Sequence, residues 1–210
     1  DGDADRLLAV DENGQLMNGD IILAIIAEDM MTRKELKRDT IVVTVMSNLG
    51  LDIMAKDNRI VLEKTKVGDR YVLEKMLSDG YNLGGEQSGH VILLDHSTTG
   101  DGILTALALL RVLVRKRKKM SDIARIVNIL PQVLLPARIP EDKKSLALSD
   151  QDLCRLIQEH EKTLRDRGRI LVRASGTEPL IRVMIEGENT EQITKMAEEM
   201  VSLLDSRYRT

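Results

Sequence analysis

Short β-branched runs alternate with capped helical stretches through the first two thirds of this chain, and that rhythm restricts the fold more than anything else in it. Thr40-Ile41-Val42-Val43-Thr44-Val45 is β-branched throughout, the pattern of a strand buried on both faces. Ser47-Asn48 starts a helix near Leu49, and Arg59 to Glu63 reads as a second strand. Asp20 reads as the cap of a helix over Ile21 to about Thr32. Asp69 reads as the cap of another carrying Val72, Leu73, Met76 and Leu77, which Asp79-Gly80 ends. Leu83 to Leu94 holds a strand, a Gly-rich loop and a further strand, and a long helix follows from about Gly102 to Lys119. The alternation predicts an α/β sandwich domain with a largely parallel mixed sheet.

The rest of the chain reads differently. Residues 131–149 carry three of the four prolines and the polar tail Glu141-Asp142-Lys143-Lys144-Ser145, which predicts a linker and the entry to a second domain. Beyond it the pattern is α-β-β-α, a smaller α+β C-terminal domain. Leu153, Leu156, Ile157, His160 and Leu164 share one helical face, Arg169–Arg173 and Leu180–Glu186 are strands, and Ile193 to Leu204 is a last amphipathic helix. His160 reads as a packed helix histidine. The 210 residues suffice for one or two domains, and the cores must be aliphatic, since Trp and Phe are absent.

Several function classes fall away. A net charge of -3 gives no reason to expect nucleic acid or a membrane surface. The basic cluster Arg111 and Arg115 to Lys119 sits at a helix C-terminus, where cations are favoured, and no aromatics interleave it. The single Cys154 excludes an internal disulfide and fits a reducing cytoplasm. No apolar stretch has the length of a membrane span, and no signal peptide is visible. The chain starts without Met and inside a motif, and is expected to be a fragment of something longer.

That motif is Asp1-Gly2-Asp3-Ala4-Asp5-Arg6, ahead of Leu7-Leu8-Ala9-Val10. Carboxylates at alternate positions of an extended segment point to one side and repel unless a cation lies between them. Oxygen-only ligands suit Mg²⁺ or Ca²⁺. A solvated acidic turn is the plain alternative. An EF-hand loop does not fit, because Arg6 occupies the position that needs glycine and the flanks are not helical.

Three more loops carry chemistry. Gly84-Gly85-Glu86-Gln87-Ser88-Gly89-His90 puts a carboxylate, an amide, a hydroxyl and an imidazole between glycines, a set suited to sugar hydroxyls. Arg173-Ala174-Ser175-Gly176-Thr177-Glu178-Pro179 can form a nest of backbone N–H groups, with Arg173 and Arg182 as forked donors, and reads as a phosphate cradle. Lys66, in Lys64-Thr65-Lys66-Val67-Gly68-Asp69-Arg70, precedes a helix start that could receive an anion, although taken alone the loop reads as an ordinary capped helix entry. Together these loops imply a phosphorylated sugar handled with Mg²⁺.

In the order and spacing of these loops, essentially the whole chain resembles the α-D-phosphohexomutase superfamily. Within it, the runs Thr44–Gly50, Val67–Val72 and Gly84–His90 are similar to the bacterial phosphoglucosamine mutase branch, with Asp69 and Gln87 carrying most of that choice. The resemblance implies the tail of a second domain over 1–17, a third domain over 18–134 and a phosphate-binding domain over 135–210. It implies a mutase interconverting glucosamine 6-phosphate and glucosamine 1-phosphate through a 1,6-bisphosphate, with glucosamine or glucose 1,6-bisphosphate as activator. In that scheme Asp1, Asp3 and Asp5 hold Mg²⁺, and Arg6, Lys66 and His90 are catalytic. Glu86, Gln87 and Ser88 read the sugar, and Arg173, Ser175, Gly176, Thr177 and Arg182 hold phosphate.

The activated phosphoserine that the resemblance implies has no counterpart here. None of Ser47, Ser88, Ser97 and Ser175 stands in a Thr-Ala-Ser-His-Asn-Pro type segment, so an N-terminal half of the same enzyme is the expected partner, besides the sugar phosphate. A homodimer is compatible with the sequence. Another phosphohexomutase and a non-catalytic sugar-phosphate-binding module are the alternatives. Leu7 to Val10 needs a backbone partner: Gln15-Leu16-Met17, the following domain or, as first expectation, a second copy.

Overall fold

The computed structural model describes residues 2–209, which divide into two compact units, up to Ile129 and from Leu130. In the first unit, β1 (Ala9–Val10) and β2 (Leu16–Met17) form a small hairpin ahead of α1 (Gly19–Thr32). β3 (Thr40–Thr44), α2 (Leu49–Asp57), β4 (Val61–Thr65), α3 (Asp69–Asp79), β5 (Leu83–Gly85) and β6 (Val91–Leu93) follow. α4 (Gly102–Lys116) and α5 (Met120–Ala124) close the unit.

The sheet runs β4-β3-β5-β6, parallel except for β6, which returns antiparallel to β5. The mixed, largely parallel α/β arrangement is thus as the alternation implies. β3 is buried along its whole length because side chains alternate between two cores. Ile41 and Val43 join α1, α2 and α4 on one face, whereas Val42 joins Val72 and Met76 of α3 on the other.

The helix starts depart from expectation by one or two residues. Asn18, not Asp20, caps α1, accepting the Ile21 N–H at 3.2 Å. Asp20 lies inside the first turn, fully buried, and accepts the Asn48 N–H at 2.8 Å. Asp69 is the first residue of α3, and Gly68 occupies the cap position. Arg117 ends α4 in the left-handed region, earlier than Lys119. The strand expected over Leu7–Val10 shortens to Ala9–Val10 and finds its partner within the chain. Ala9 pairs with Met17, Val10 pairs with Leu16, and the Leu7 N–H reaches Gly89 O at 3.0 Å. These in-chain bonds occupy the place of the expected pairing between copies.

The second unit holds β7 (Gln132–Arg138), α6 (Lys144–Leu148), α7 (Gln151–Leu164), β8 (Gly168–Ala174), β9 (Leu180–Gly187) and α8 (Thr190–Tyr208). Its antiparallel sheet runs β7-β9-β8. β7 corrects the reading of residues 131–149 as a linker: Val133, Leu135 and Ala137 turn inward to a core shared with α7 and α8, and Leu134, Pro136 and Arg138 turn out. His160 is partly buried on α7, its Nε2 3.2 Å from a carboxylate oxygen of Glu199 on α8. Among the described residues no helix is long and apolar enough to cross a membrane.

Candidate functional site

Ligands of open parallel sheets gather outside the carboxyl ends of the strands. In the first unit two of the predicted loops leave those ends, Lys66 to Gly68 after β4 and Glu86 to His90 after β5. They are joined by Glu86, whose Oε1 accepts the Gly68 N–H at 3.0 Å. The Gln87 carbonyl accepts the Gly19 N–H at 3.0 Å, and Ser88 stands exposed at the loop tip. Lys66 is also exposed and has no ion-pair partner among the described residues.

The acidic opening segment docks on the same loop. Arg6 and His90 form a single antiparallel bridge, and Leu7 bonds to Gly89. Gly89 has φ of +95°, and a Cβ there would lie 2.2 Å from Leu7 O, so only glycine lets the two backbones approach this closely. Ala4 takes the left-handed φ of 57°, and its carbonyl accepts the Gly102 N–H at 2.8 Å.

His90 is buried, and both its ring nitrogens are engaged. Nε2 accepts the Gly100 N–H at 3.1 Å, so the proton of the neutral ring sits on Nδ1, 3.0 Å from Asp5 Oδ2. Asp69 Oδ2 lies 3.9 Å from Nε2. Burial pushes the Asp5 pKa up; the hydrogen bond with His90, and then the charge of Arg6, outweigh it, and the carboxyl falls below its ordinary value. Asp5 Oδ1 is buried with no hydrogen-bond partner among the described residues. An oxygen donor in that condition fits a hard cation. Asp3 is exposed, and Asp1 lies outside the described residues. Among the described residues no three His, Cys, Asp or Glu side chains cluster as a metal site.

The second unit holds the loop read as a phosphate cradle. Arg173 at the end of β8 and Arg182 in β9 are register partners. Arg182 pairs with Glu178 at 2.5 Å, whereas Arg173 has no carboxylate partner among the described residues. Burial, and then the charge of Arg182, push the Arg173 pKa below its ordinary value. The loop between the strands buries Ser175 and exposes Gly176, Thr177 and Glu178. The Ser175 N–H bonds to Leu180 O at 2.9 Å, and the Ser175 and Glu178 carbonyls accept from the buried Lys144 Nζ at 2.7 and 2.8 Å.

Asp5, Arg6 and His90 are thus brought together in the first unit, where Glu86 joins the two loops, and Arg173 and Arg182 face each other in the second, whereas Asp3 and Lys66 stand exposed. Gly68, Gly100 and Lys144 were not foreseen. Gly68 and Gly100 act through backbone N–H groups that every residue but proline carries, and Lys144 lay in the stretch read as a linker and domain entry.

Comparison with known proteins matches both units. The family model described as phosphoglucomutase/phosphomannomutase, alpha/beta/alpha domain III, covers residues 18–129, and that of the C-terminal domain covers 109–203. The phosphoglucosamine mutases of Ruminiclostridium cellulolyticum and Acetivibrio thermocellus are 55% and 56% identical over 207 residues. Each match covers 99% of this chain and 46% of the relative, so the chain spans about half the length of the curated relatives it matches. Among solved structures, Aspergillus fumigatus N-acetylphosphoglucosamine mutase superposes with a TM-score of 0.80 at 20% identity, covering 98% of this chain and 47% of that one. A second structure of that enzyme, in complex with GlcNAc-6P and magnesium, gives 0.75 at 20% identity over 96% of this chain and 50% of that one.

Proposed function

The chain belongs to the phosphoglucomutase/phosphomannomutase family, and from that premise we propose that it carries the metal, sugar and phosphate loops of a phosphoglucosamine mutase. Such an enzyme interconverts glucosamine 6-phosphate and glucosamine 1-phosphate. A phosphoserine gives its phosphoryl group to one sugar oxygen, forming a 1,6-bisphosphate, and the serine then takes back the phosphoryl group at the other position. The serine would come from the part of the full-length protein that this chain does not cover, in a reducing cytoplasm.

The observation that carries the reading is the join between Asp5 and His90, which brings the acidic segment onto the sugar loop across 85 positions of sequence. Asp1, Asp3 and Asp5 would hold Mg²⁺, which when bound neutralises charge on the transferring phosphoryl group. The spare Oδ1 of Asp5 supports that role. His90, with both nitrogens engaged, holds the Asp5 carboxylate in one orientation, as groups behind a metal ligand do. Arg6 stabilises the moving phosphoryl group. Glu86 spends one oxygen on Gly68 and keeps the other for a sugar hydroxyl, beside Gln87 and Ser88. Lys66 is the remaining exposed cation on these loops and the candidate for proton transfer or leaving-group support. Arg173, Arg182 and the Ser175-Gly176-Thr177 backbone would bind phosphate.

The test joins residues 1–210 behind the N-terminal part of the Acetivibrio thermocellus relative and compares sugar phosphates. The expected kcat/KM for glucosamine 6-phosphate exceeds that for glucose or mannose 6-phosphate by about tenfold or more, roughly 1.4 kcal/mol of transition-state discrimination. A hexose preference would make the chain part of another phosphohexomutase, and no turnover at all would favour a binding module.

A further inference from the structure

Lys144 opens α6 yet exposes only 4% of its side chain. A buried ammonium is costly unless its hydrogens are all engaged. Here all three are: one goes to Ser175 O, one to Glu178 O and one to the Glu141 carboxylate. None is left for a ligand. The two carbonyls flank the exposed turn of the anion loop, 31 and 34 positions downstream of Lys144.

Holding those carbonyls has a geometric consequence. A trans peptide plane directs its C=O and its N–H to opposite sides. Ser175 O is drawn inward to Lys144, so the N–H of Gly176 in the same peptide is turned outward, on the exposed side of the loop. Glu178 precedes Pro179 and has no following N–H to aim, so its bond to Lys144 pins the far end of the turn. The Pro179 carbonyl is fixed as well, accepting from Ile139 at 3.1 Å.

We propose that Lys144 is a positioning residue for the anion loop: through the Ser175 and Glu178 carbonyls it aims the Gly176 N–H at a bound phosphate without touching it. The inference rests on the reading of Arg173 to Glu178 as a phosphate site.

The experiment uses the 210-residue chain, amide hydrogen exchange by NMR and titration with inorganic phosphate. In Lys144→Met, exchange at Ser175 and Leu180, whose N–H groups close the loop, accelerates by about tenfold or more, while Val183 and Ile185 stay within about twofold. Phosphate-induced shifts at Gly176 and Thr177 are lost. Glu141→Ala, which leaves both carbonyl bonds in place, changes neither readout. Should Lys144→Met fail to fold, Lys144→Arg decides in its place: it keeps charge and donors in a different geometry, so loop exchange rises with the ladder unchanged. Unaltered loop exchange in the variant that folds overturns the proposal, as does an equal effect of Glu141→Ala. Absence of any phosphate shift in the unaltered chain overturns the phosphate reading instead, and the exchange data still decide the role of Lys144.

Discussion

Arg173 and Arg182 stand opposite each other as register partners on β8 and β9, two guanidinium groups with only one carboxylate, Glu178, between them among the described residues. Like charges facing across a ladder destabilise it. An anion bound there converts the repulsion into a pair of forked contacts.

Arg173→Ala should therefore cost about 1.5–3 kcal/mol in phosphate binding, the range of hydrogen bonds to charged groups. Without phosphate the same change should leave the thermal midpoint unchanged or raise it. Calorimetry showing equal affinity for both proteins would remove Arg173 from the site.

Asp150 caps α7 through the N–H groups of Asp152 and Leu153, and it also accepts from Arg207 Nη1 at 2.8 Å and Tyr208 OH at 2.6 Å. The Tyr208 hydrogen bond first, and Arg207 after it, overcome burial and hold its carboxyl far below the ordinary value of 3.8. The lowered folded pKa means its stabilisation is fully present above about pH 4 and is lost as pH falls through the folded value. Asp150→Asn should be the less stable protein at pH 6, by roughly 2–4 kcal/mol from the weakened cap and charged hydrogen bonds. The gap should narrow by about pH 2.5. Thermal melts with a constant gap across that range would show that Asp150 is not the titrating group.

Gly89→Ala should loosen the opening segment. The left-handed backbone alone costs roughly 1–2 kcal/mol for an L-residue, and the new Cβ meets Leu7 O. Trypsin should then cut after Arg6 faster than in the parent protein, with fragments read by mass. Equal cleavage rates would mean that Gly89 does not anchor the segment.

The 210 residues by themselves should not turn over glucosamine 6-phosphate, even with a 1,6-bisphosphate activator, because no serine stands in a nucleophile segment. A coupled assay with measurable turnover would place the nucleophile within this chain.

The sheet of the first unit was legible because β3 is β-branched throughout and the helices around it have caps. The caps themselves slipped where Asn18-Gly19-Asp20 and Gly68-Asp69 offer adjacent candidates; at α1, Asp20 is turned to Asn48 and Asn18 caps the helix. β7 was hidden by Pro136 within it and by Pro131 and Pro140 on either side. Pro136 is tolerated because β7 lies at the sheet edge, bonded only to β9. The site loops were visible as local clusters of glycine, hydroxyl and charge. What joins them was not: the bonds from Asp5 to His90, Glu86 to Gly68 and Lys144 to Ser175 connect positions that no local pattern links.

Among the described residues, the cores of the first unit draw on residues 7–129 and the core of the second on residues 133–208. A lineage can thus refit the arginine-bearing loop without repacking the sheet that supports the sugar loop. The unit, more than the single residue, is the increment in which this chain can be recombined.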